Sequence, residues 1–185
     1  MNEIQRAEFK QAFDDGKLVV YPTEAVMGIG CDPDNRDAVD ALLALKARPI
    51  EKGMILIADT YSRLLPYVDD QKISLDRRPA IFSSWPGPVT WLLPKSKTAP
   101  DWITGGQEQI AVRVTNHPVV IELCRIAESP LVSTSANPSG LVPATSLAEA
   151  KTYFGEKVYY VEGETGGYDS PSTIRDSQTG NIIRA

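Results

Sequence analysis

The sequence predicts an α/β protein with an open, twisted sheet of parallel and antiparallel strands, flanked by helices. Short apolar runs typical of buried strands alternate with amphipathic stretches typical of helices almost throughout the chain. The end of the chain predicts two short strands joined by a hairpin loop, which adds antiparallel pairing. No repeat, low-complexity tract or linker interrupts this alternation, so the 185 residues are predicted to form a single domain over 1–185.

The first helix is predicted at 3–14, where apolar residues recur at helical spacing before Gly16 ends the pattern. A second helix is predicted at 36–46, because Asn35 can cap its first turn and its apolar residues share one face. Another is predicted to begin at Pro118, since proline is favoured at the first helical position. The predicted helices cover 3–14, 36–46, 60–67, 78–84, 118–127 and 146–154.

Strands are predicted wherever a short apolar run is bounded by turn residues. A loop at 22–24 follows the first strand, and Trp85-Pro-Gly-Pro88 breaks the chain before another. The predicted strands cover 18–21, 53–58, 89–93, 110–114, 130–133, 157–161, 172–175 and 181–184.

Composition is typical of soluble globular proteins, with 42% hydrophobic and 23% charged residues. No apolar run approaches the roughly 20 residues of a membrane span. The N-terminal residues lack a signal-peptide pattern, so a cytoplasmic protein without a membrane partner is expected. Cys31 and Cys124 lack metal-site spacing and are expected to be reduced thiols. His117 is the sole histidine, which excludes most His-based triads and multi-histidine metal sites.

The net charge of −5, from 19 basic and 24 acidic residues, argues against a protein whose main task is to coat nucleic acid. Any anion site is therefore expected to be local, as a concave cationic cleft on an acidic body. Lys46, Arg48 and Lys52 lie between a predicted helix and a predicted strand and are the best candidates for it. The alternative is stabilisation of the helix end, since cations there gain about 0.3–1 kcal/mol from the macrodipole.

Further polar side chains lie in or just beyond other predicted strands, where ligands of open α/β sheets bind. Hydroxyls, an amide and fixed cations together suit an anion with many oxygens. Glu24 is the best acidic candidate, and its simpler role is to neutralise one of the cations. No metal ligands are assigned. The candidate site residues are Thr23, Lys46, Arg48, Lys52, Arg113, Ser133, Ser135, Asn137, Ser172 and Arg184.

Several common motifs are missing or incomplete. The chain contains no Gly-x-x-x-x-Gly-Lys-Ser/Thr, which excludes a P-loop enzyme. Gly28-Ile-Gly30 is only part of a dinucleotide fingerprint, and 163–167 suits either a phosphate loop or a flexible turn. Ser133 and Ser135 lack a Gly-x-Ser-x-Gly elbow, which argues against a serine hydrolase.

Six motifs together resemble those of the TsaC/YrdC family, in the same order and over essentially the whole chain. They are Tyr21-Pro-Thr-Glu24, Lys46-x-Arg48-Pro49, Trp85-Pro-Gly-Pro88, Ala111-Val-Arg113, Ser133-Thr-Ser-Ala-Asn137 and Pro171-Ser-Thr173. The resemblance implies a short, single YrdC-like domain that makes L-threonylcarbamoyl-AMP from ATP, L-threonine and bicarbonate, with release of pyrophosphate. It also implies that TsaD, TsaB and TsaE type proteins then move the threonylcarbamoyl group to adenosine 37 of ANN-decoding tRNAs.

The resemblance also implies roles for the candidate residues, with Lys46 and Arg48 as catalytic residues. ATP is then a substrate, and Mg²⁺ is expected with its phosphates. In longer relatives a histidine stands where this chain has Ile57, so a threonine contact by that histidine is not carried over. The nucleotide side comprises Arg48, Lys52, Ser135, Asn137 and Arg184, and the threonine side comprises Thr23, Arg113, Ser133 and Ser172.

Two other functions fit the same candidates. One is a non-catalytic RNA-binding module, which would use the cleft to contact phosphates and recognise RNA by shape. The other is a hydrolase of carbamoyl or acyl-adenylate compounds. For the synthase, a closing loop would protect the labile carbamate from water, and either 46–54 or 162–171 can supply it.

Overall fold

The computed structural model describes residues 1–185 and contains nine strands and seven α-helices. The strands are β1 (Val19–Pro22), β2 (Met27–Gly30), β3 (Ile55–Ala58), β4 (Val89–Pro94), β5 (Gln109–Val114), β6 (Leu131–Ser135), β7 (Tyr159–Tyr160), β8 (Thr173–Asp176) and β9 (Ile182–Arg184). The helices are α1 (Glu3–Asp14), α2 (Arg36–Lys46), α3 (Tyr61–Leu64), α4 (Arg78–Ser83), α5 (Asp101–Thr104), α6 (Pro118–Ala127) and α7 (Leu147–Phe154). Short 3-10 helices lie at Ile50–Lys52, Leu65–Tyr67 and Asp70–Lys72.

All nine strands join one sheet in the order β7-β1-β2-β6-β3-β5-β4-β8-β9. The pairs β1–β7, β3–β5 and β4–β8 are parallel, and the other neighbouring pairs are antiparallel. The predicted α/β class with a mixed sheet is therefore confirmed, and β8–β9 is the predicted terminal hairpin. The side chain of Asn35 accepts a hydrogen bond from the backbone N–H of Ala38, as predicted, and α6 begins at Pro118.

Strand β2 and helix α5 were not predicted from the sequence. The chain reverses before β2, where the backbone N–H of Thr23 donates to the carbonyl oxygen of Val26 at 3.1 Å. Glycines interrupt the apolar pattern of β2, and one of them is required by a close approach of two strands. A Cβ at Gly30 would lie 1.6 Å from the carbonyl oxygen of Val132. The four residues of α5 are too few for a helical period to show.

The two faces of the sheet are covered unequally. On one face, a core of 30 buried residues joins the strands to α2, α3, α4, α5 and α7. On the other face, Phe9 of α1 and Leu123 of α6 pack against Tyr21 and Ile57, so only one end is covered. Ile57 is fully buried there. The rest of this face is free to form a site.

None of the seven helices combines the length and the apolar character that a membrane span requires. Cys31 and Cys124 are both buried and form no disulfide. Cys124 lies on α6, and its Sγ is 3.7 Å from the carbonyl oxygen of Ile57 in β3. Its contact with β3 therefore belongs to the packing between α6 and the sheet.

Candidate functional site

The open part of the sheet face forms a cleft of about 470 Å³. Most of its lining residues come from seven of the nine strands, from the turn at 23–26 and from the segments around 48–53 and 170–172. Eight of the ten candidate residues line it, and Lys46 and Asn137 do not. The eight are Thr23, Arg48, Lys52, Arg113, Ser133, Ser135, Ser172 and Arg184.

A row of cross-strand neighbours forms the floor of the cleft. Ser133 of β6 lies opposite Ile55 of β3, which lies opposite Ala111 of β5. Ala111 in turn lies opposite Leu92 of β4. Side chains directly opposite each other in a sheet are close neighbours, so the row is continuous. The floor therefore changes from hydroxyl-bearing at β6 to apolar at β4.

Arg113 and Glu24 form a buried ion pair at one end of the cleft. Nη1 of Arg113 donates to Oε2 of Glu24 at 2.7 Å, and the hydroxyl of Thr115 donates to Oε1 at 2.6 Å. Burial raises the pKa of Glu24, but Arg113 and Thr115 outweigh it and hold the pKa below its usual value. Glu24 thus neutralises a cation, Arg113, which is the simpler of the roles considered for it.

Arg48 and Lys52 lie in the segment between α2 and β3, which forms another part of the cleft lining. Nη2 of Arg48 donates to the carbonyl oxygen of Gly53 at 2.9 Å, which anchors the guanidinium beside the cleft. Burial lowers the pKa of Arg48. Its Nε is buried without a protein acceptor, and the same is true of the Nε of Arg113. Lys52 is exposed and makes no ion pair with a protein carboxylate.

Lys46 and Asn137 lie behind the cleft wall. The Nζ of Lys46 donates to the carbonyl oxygens of Ser135 and Asn137, at 2.5 and 2.7 Å. The Nδ2 of Asn137 donates to two carbonyl oxygens of the loop that follows. Burial, with a smaller contribution from Arg48, lowers the pKa of Lys46 to about 8. Lys46 therefore holds the backbone that carries Ser135.

Strands β8 and β9 close a third side. The hydroxyl groups of Ser172 and Thr90 lie 2.9 Å apart in the interior, and Nη2 of Arg184 donates to the Ser172 carbonyl oxygen at 2.7 Å. Burial lowers the pKa of Arg184, and the positive charges of Arg113 and Arg48 lower it further. Arg184 therefore lies close enough to Arg113 and Arg48 for their charges to act on it.

The segment 163–168 lies against the Thr23–Glu24 turn. The backbone N–H groups of Gly166 and Tyr168 donate to the carbonyl oxygens of Thr23 and Glu24, at 2.9 and 3.1 Å. A Cβ at Gly166 would lie 3.0 Å from the Glu24 carbonyl oxygen, so only glycine fits this approach without a shift. These contacts place the following residues, 170–172, in the lining of the cleft.

A second cavity, of about 400 Å³, adjoins the cleft and shares Lys52, Gly53, Met54, Leu92 and Ala111 with it. Thr104, Gln107 and Gln109 contribute polar side chains to this cavity. Thr104 is 2% exposed, and its hydroxyl has no hydrogen-bond partner. This cavity was not predicted from the sequence, because the polar residues named above do not follow a strand.

Thr90 and Thr115 were also missed, since nothing in the sequence distinguishes them from other threonines in or beside strands. No group of three or more His, Cys, Asp or Glu side chains converges in a way that could hold a metal ion. The carboxylate in the lining of the cleft, Glu24, is already engaged by two donors.

Comparison with known proteins identifies a matching family model and relatives that agree with it. The Sua5/YciO/YrdC family model, described as "Telomere recombination", matches residues 11–185. The protein named threonylcarbamoyl-AMP synthase from Pseudoalteromonas atlantica (strain T6c) is 59% identical over 169 residues, which cover 91% of this chain and 90% of that protein. A protein of the same name from Escherichia coli (strain K12) is 50% identical over 186 aligned positions, covering 99% and 98%.

Solved structures agree with the fold. Sua5 of P. abyssi, as the H234A/Y235A variant, matches with a TM-score of 0.88 and 30% identity. The same protein in complex with L-threonine matches with a TM-score of 0.83 and 31% identity over 92% of this chain. This chain spans about half of the Sua5 chain, at 54% and 51% of its length. YciO of E. coli, with 20% identity and a TM-score of 0.83, shares the fold.

Proposed function

Because the chain belongs to the Sua5/YciO/YrdC family, we propose that it is an enzyme that synthesises L-threonylcarbamoyl-AMP from L-threonine, bicarbonate or CO2, and ATP, with release of pyrophosphate. Two relatives at 50% and 59% identity carry the name threonylcarbamoyl-AMP synthase and align over nearly the full chain. A more distant relative with the same fold has been solved with L-threonine. The reaction is the transfer of a nucleotidyl group to a carbamate.

The observation that carries the proposal is that two arginines lining the cleft, Arg48 and Arg113, have buried guanidinium donors without protein acceptors. Arg48 and Arg113 each make one side-chain hydrogen bond within the protein. Each guanidinium has five N–H donors, and buried donors without acceptors are costly. Two such groups facing one cleft suit two anionic substrates, a triphosphate and an amino acid converted to a carbamate.

The threonine end is proposed to lie at Arg113, beside Thr23, Ser133 and Ser172. Glu24 uses only Nη1 of Arg113, which leaves Nη2 and Nε without protein acceptors. A guanidinium can hold a carboxylate at two points, and an ammonium cannot. The surrounding hydroxyls can accept from the amine and donate to the side-chain oxygen of the substrate.

The nucleotide end is proposed to lie towards Arg48, Lys52 and Ser135. The triphosphate would contact these residues, and the adjoining polar cavity that contains Thr104 and Gln107 would receive the base. Amides and hydroxyls can pair with both donors and acceptors of a base edge. The Mg²⁺ of ATP would be held by phosphate oxygens and water as part of the substrate, since no carboxylate cluster offers a resident site.

The proposed chemistry has two steps. The amine of threonine and bicarbonate first form a carbamate with loss of water. A carbamate oxygen then attacks the α-phosphorus of ATP, the bond from that phosphorus to the β-phosphate oxygen breaks, and pyrophosphate leaves. Both reactants are anions, so fixed cations accelerate the step by holding them in line and stabilising charge. No covalent protein intermediate is required.

The product would serve the N6-threonylcarbamoyladenosine modification at position 37 of ANN-decoding tRNAs in the cytoplasm. Transferase proteins of the TsaD, TsaB and TsaE type would consume it. An acyl phosphate anhydride of this kind hydrolyses in water, so rapid transfer to such proteins suits the chemistry.

The test supplies purified protein with MgATP, L-threonine and bicarbonate and follows pyrophosphate together with the adenylate by mass spectrometry. Pyrophosphate release is expected to require threonine and to match the adenylate in amount. Release that is indifferent to threonine, or binding of RNA without turnover, would overturn the proposal.

A further inference from the structure

Gly28 and Gly30 of β2 have no part in the proposed chemistry, yet they decide what lies under one end of the cleft. Tyr21 pairs with Gly28 across the β1–β2 ladder, so its ring is on the same face as the missing side chain. A Cβ at Gly28 would lie 2.9 Å from Cε2 of Tyr21, and one at Gly30 would lie 3.0 Å from the Tyr21 hydroxyl. The ring therefore occupies the space that two side chains would fill.

The hydroxyl of Tyr21 reaches across β2 to β6. It is fully buried and donates to the carbonyl oxygen of Val132 at 2.9 Å. Val132 directly precedes Ser133, whose side chain lines the cleft. Burial raises the pKa of Tyr21, and the Ser133 side chain acts against that rise. Tyr21 thus contacts β6 at the point where Ser133 enters the cleft.

Thr23 shares the same vacant space. Its Cγ2 would lie 3.0 Å from a Cβ at Gly28, next to the ring of Tyr21. Its hydroxyl donates to the carbonyl oxygen of Val26 at 2.7 Å, which fixes the orientation of the side chain. One aromatic ring therefore packs beside two of the hydroxyl-bearing residues of the proposed threonine end.

We propose that Tyr21 is a positioning residue for this end of the cleft: its ring, over Gly28 and Gly30, sets the placement of Thr23 and Ser133 and thereby the affinity for the amino-acid substrate. The inference rests on the proposed synthase activity. The single side-chain hydrogen bond of Tyr21 goes to the β6 backbone and not to a cation of the nucleotide end. Loss of this hydrogen bond should therefore weaken the binding of threonine and leave the binding of ATP unchanged.

The experiment measures steady-state kinetics for Tyr21→Phe, which keeps the ring and removes the hydroxyl. The KM for threonine is expected to rise roughly 5- to 30-fold, as for loss of one buried hydrogen bond that aligns a binding group. The KM for ATP and the kcat at saturating threonine should stay within about twofold of wild type. The control is Tyr67→Phe, which removes a comparable hydroxyl, bonded to Asp34 at 3.0 Å and outside the cleft, and should change neither KM.

A second variant, Gly28→Ala, keeps Tyr21 but places a methyl group against its ring and should also raise the threonine KM selectively. Calorimetric titration with L-threonine on the folded variants gives the same comparison without turnover. Equal rises in both KM values, or a threonine KM within twofold of wild type in Tyr21→Phe, would overturn the positioning role while the synthase stands. If the wild-type protein shows no threonine-dependent release of pyrophosphate, the proposed function is wrong, and this inference is wrong with it.

Discussion

Nη1 of Arg113 lies 2.7 Å from Oε2 of Glu24, and the two side chains are only 8% and 4% exposed. A buried charge without its partner is strongly destabilising, by about 3–5 kcal/mol. The pair therefore keeps a cation in the interior of the cleft wall at modest cost. Because Glu24 uses one edge of the guanidinium, the other donors of Arg113 are available to a substrate carboxylate.

Replacement of Arg113 by lysine should weaken threonine binding. The charge beside Glu24 is kept, but an ammonium cannot hold a carboxylate at two points, so the threonine KM should rise roughly 10- to 100-fold. Steady-state kinetics with varied threonine test this, with Arg125→Lys at a 70% exposed position as the control. An unchanged threonine KM would remove Arg113 from the threonine end.

Glu24 makes stability depend on pH in the acidic range. Its folded pKa lies below the ordinary value of 4.5, so its contribution is present above pH 4.5 and is lost as the pH falls through the folded pKa. Glu24→Gln should be less stable than wild type at pH 7, because Arg113 loses its counter-charge. Between pH 4.5 and 3, however, its free energy of unfolding should fall less steeply than that of wild type.

Thermal or denaturant unfolding from pH 3 to 7 measures this difference, with Glu156→Gln at an exposed position as the control. Parallel pH profiles for wild type and Glu24→Gln would show that the Glu24 carboxylate does not titrate with folding as stated.

Arg48→Ala should abolish turnover without unfolding the protein. Arg48 makes one hydrogen bond to the carbonyl oxygen of Gly53, so the fold loses little, whereas the triphosphate loses a fixed cation. Loss of one such electrostatic contact costs about 100-fold or more in rate. The assay is threonine-dependent pyrophosphate release, and Arg36→Ala at a 68% exposed position is the control. Near-normal turnover in folded Arg48→Ala would contradict the assigned role.

Lys46→Met separates a catalytic role from a supporting one. The carbonyl oxygens of Ser135 and Asn137 would lose their donor, and each unpaired buried group costs about 1–3 kcal/mol. The free energy of unfolding should therefore fall by about 2 kcal/mol or more, and hydrogen exchange should quicken in the 135–144 loop. The control, Lys17→Met at an exposed position, should change neither the free energy of unfolding nor the rate of hydrogen exchange. A variant with normal stability and normal exchange but no activity would instead favour direct contact with substrate.

Thr104→Val tests the second cavity as the base site. Valine has nearly the same shape and removes a buried hydroxyl that has no partner, so the free protein should be unchanged or more stable by about 1 kcal/mol. The ATP KM should rise roughly 3- to 10-fold, since the base loses a partner, while the threonine KM stays constant. A stabilised variant with an unchanged ATP KM would place the base elsewhere.

The mixed α/β class, the hairpin of β8 and β9 and most element positions could be predicted from periodicity and turn residues. Strand β2 could not be predicted, because Gly28 and Gly30 interrupt its apolar pattern. Each glycine is required by a residue of a neighbouring strand. Tyr21 fills the space over the first, and the Val132 carbonyl oxygen lies against the second. A one-dimensional pattern records the glycines but not their neighbours.

By itself the sequence determined which residue types meet in the cleft, since motifs at the ends of strands that form one sheet must converge at its open face. Only the tertiary structure decided which of them reach the cleft. Lys46 is the last residue of α2, and the left-handed backbone of Ala47, at φ 50°, turns the chain before Arg48, so the two side chains leave in different directions. The guanidinium of Arg48 lines the cleft, and the ammonium of Lys46 lies behind it and holds the backbone at Ser135.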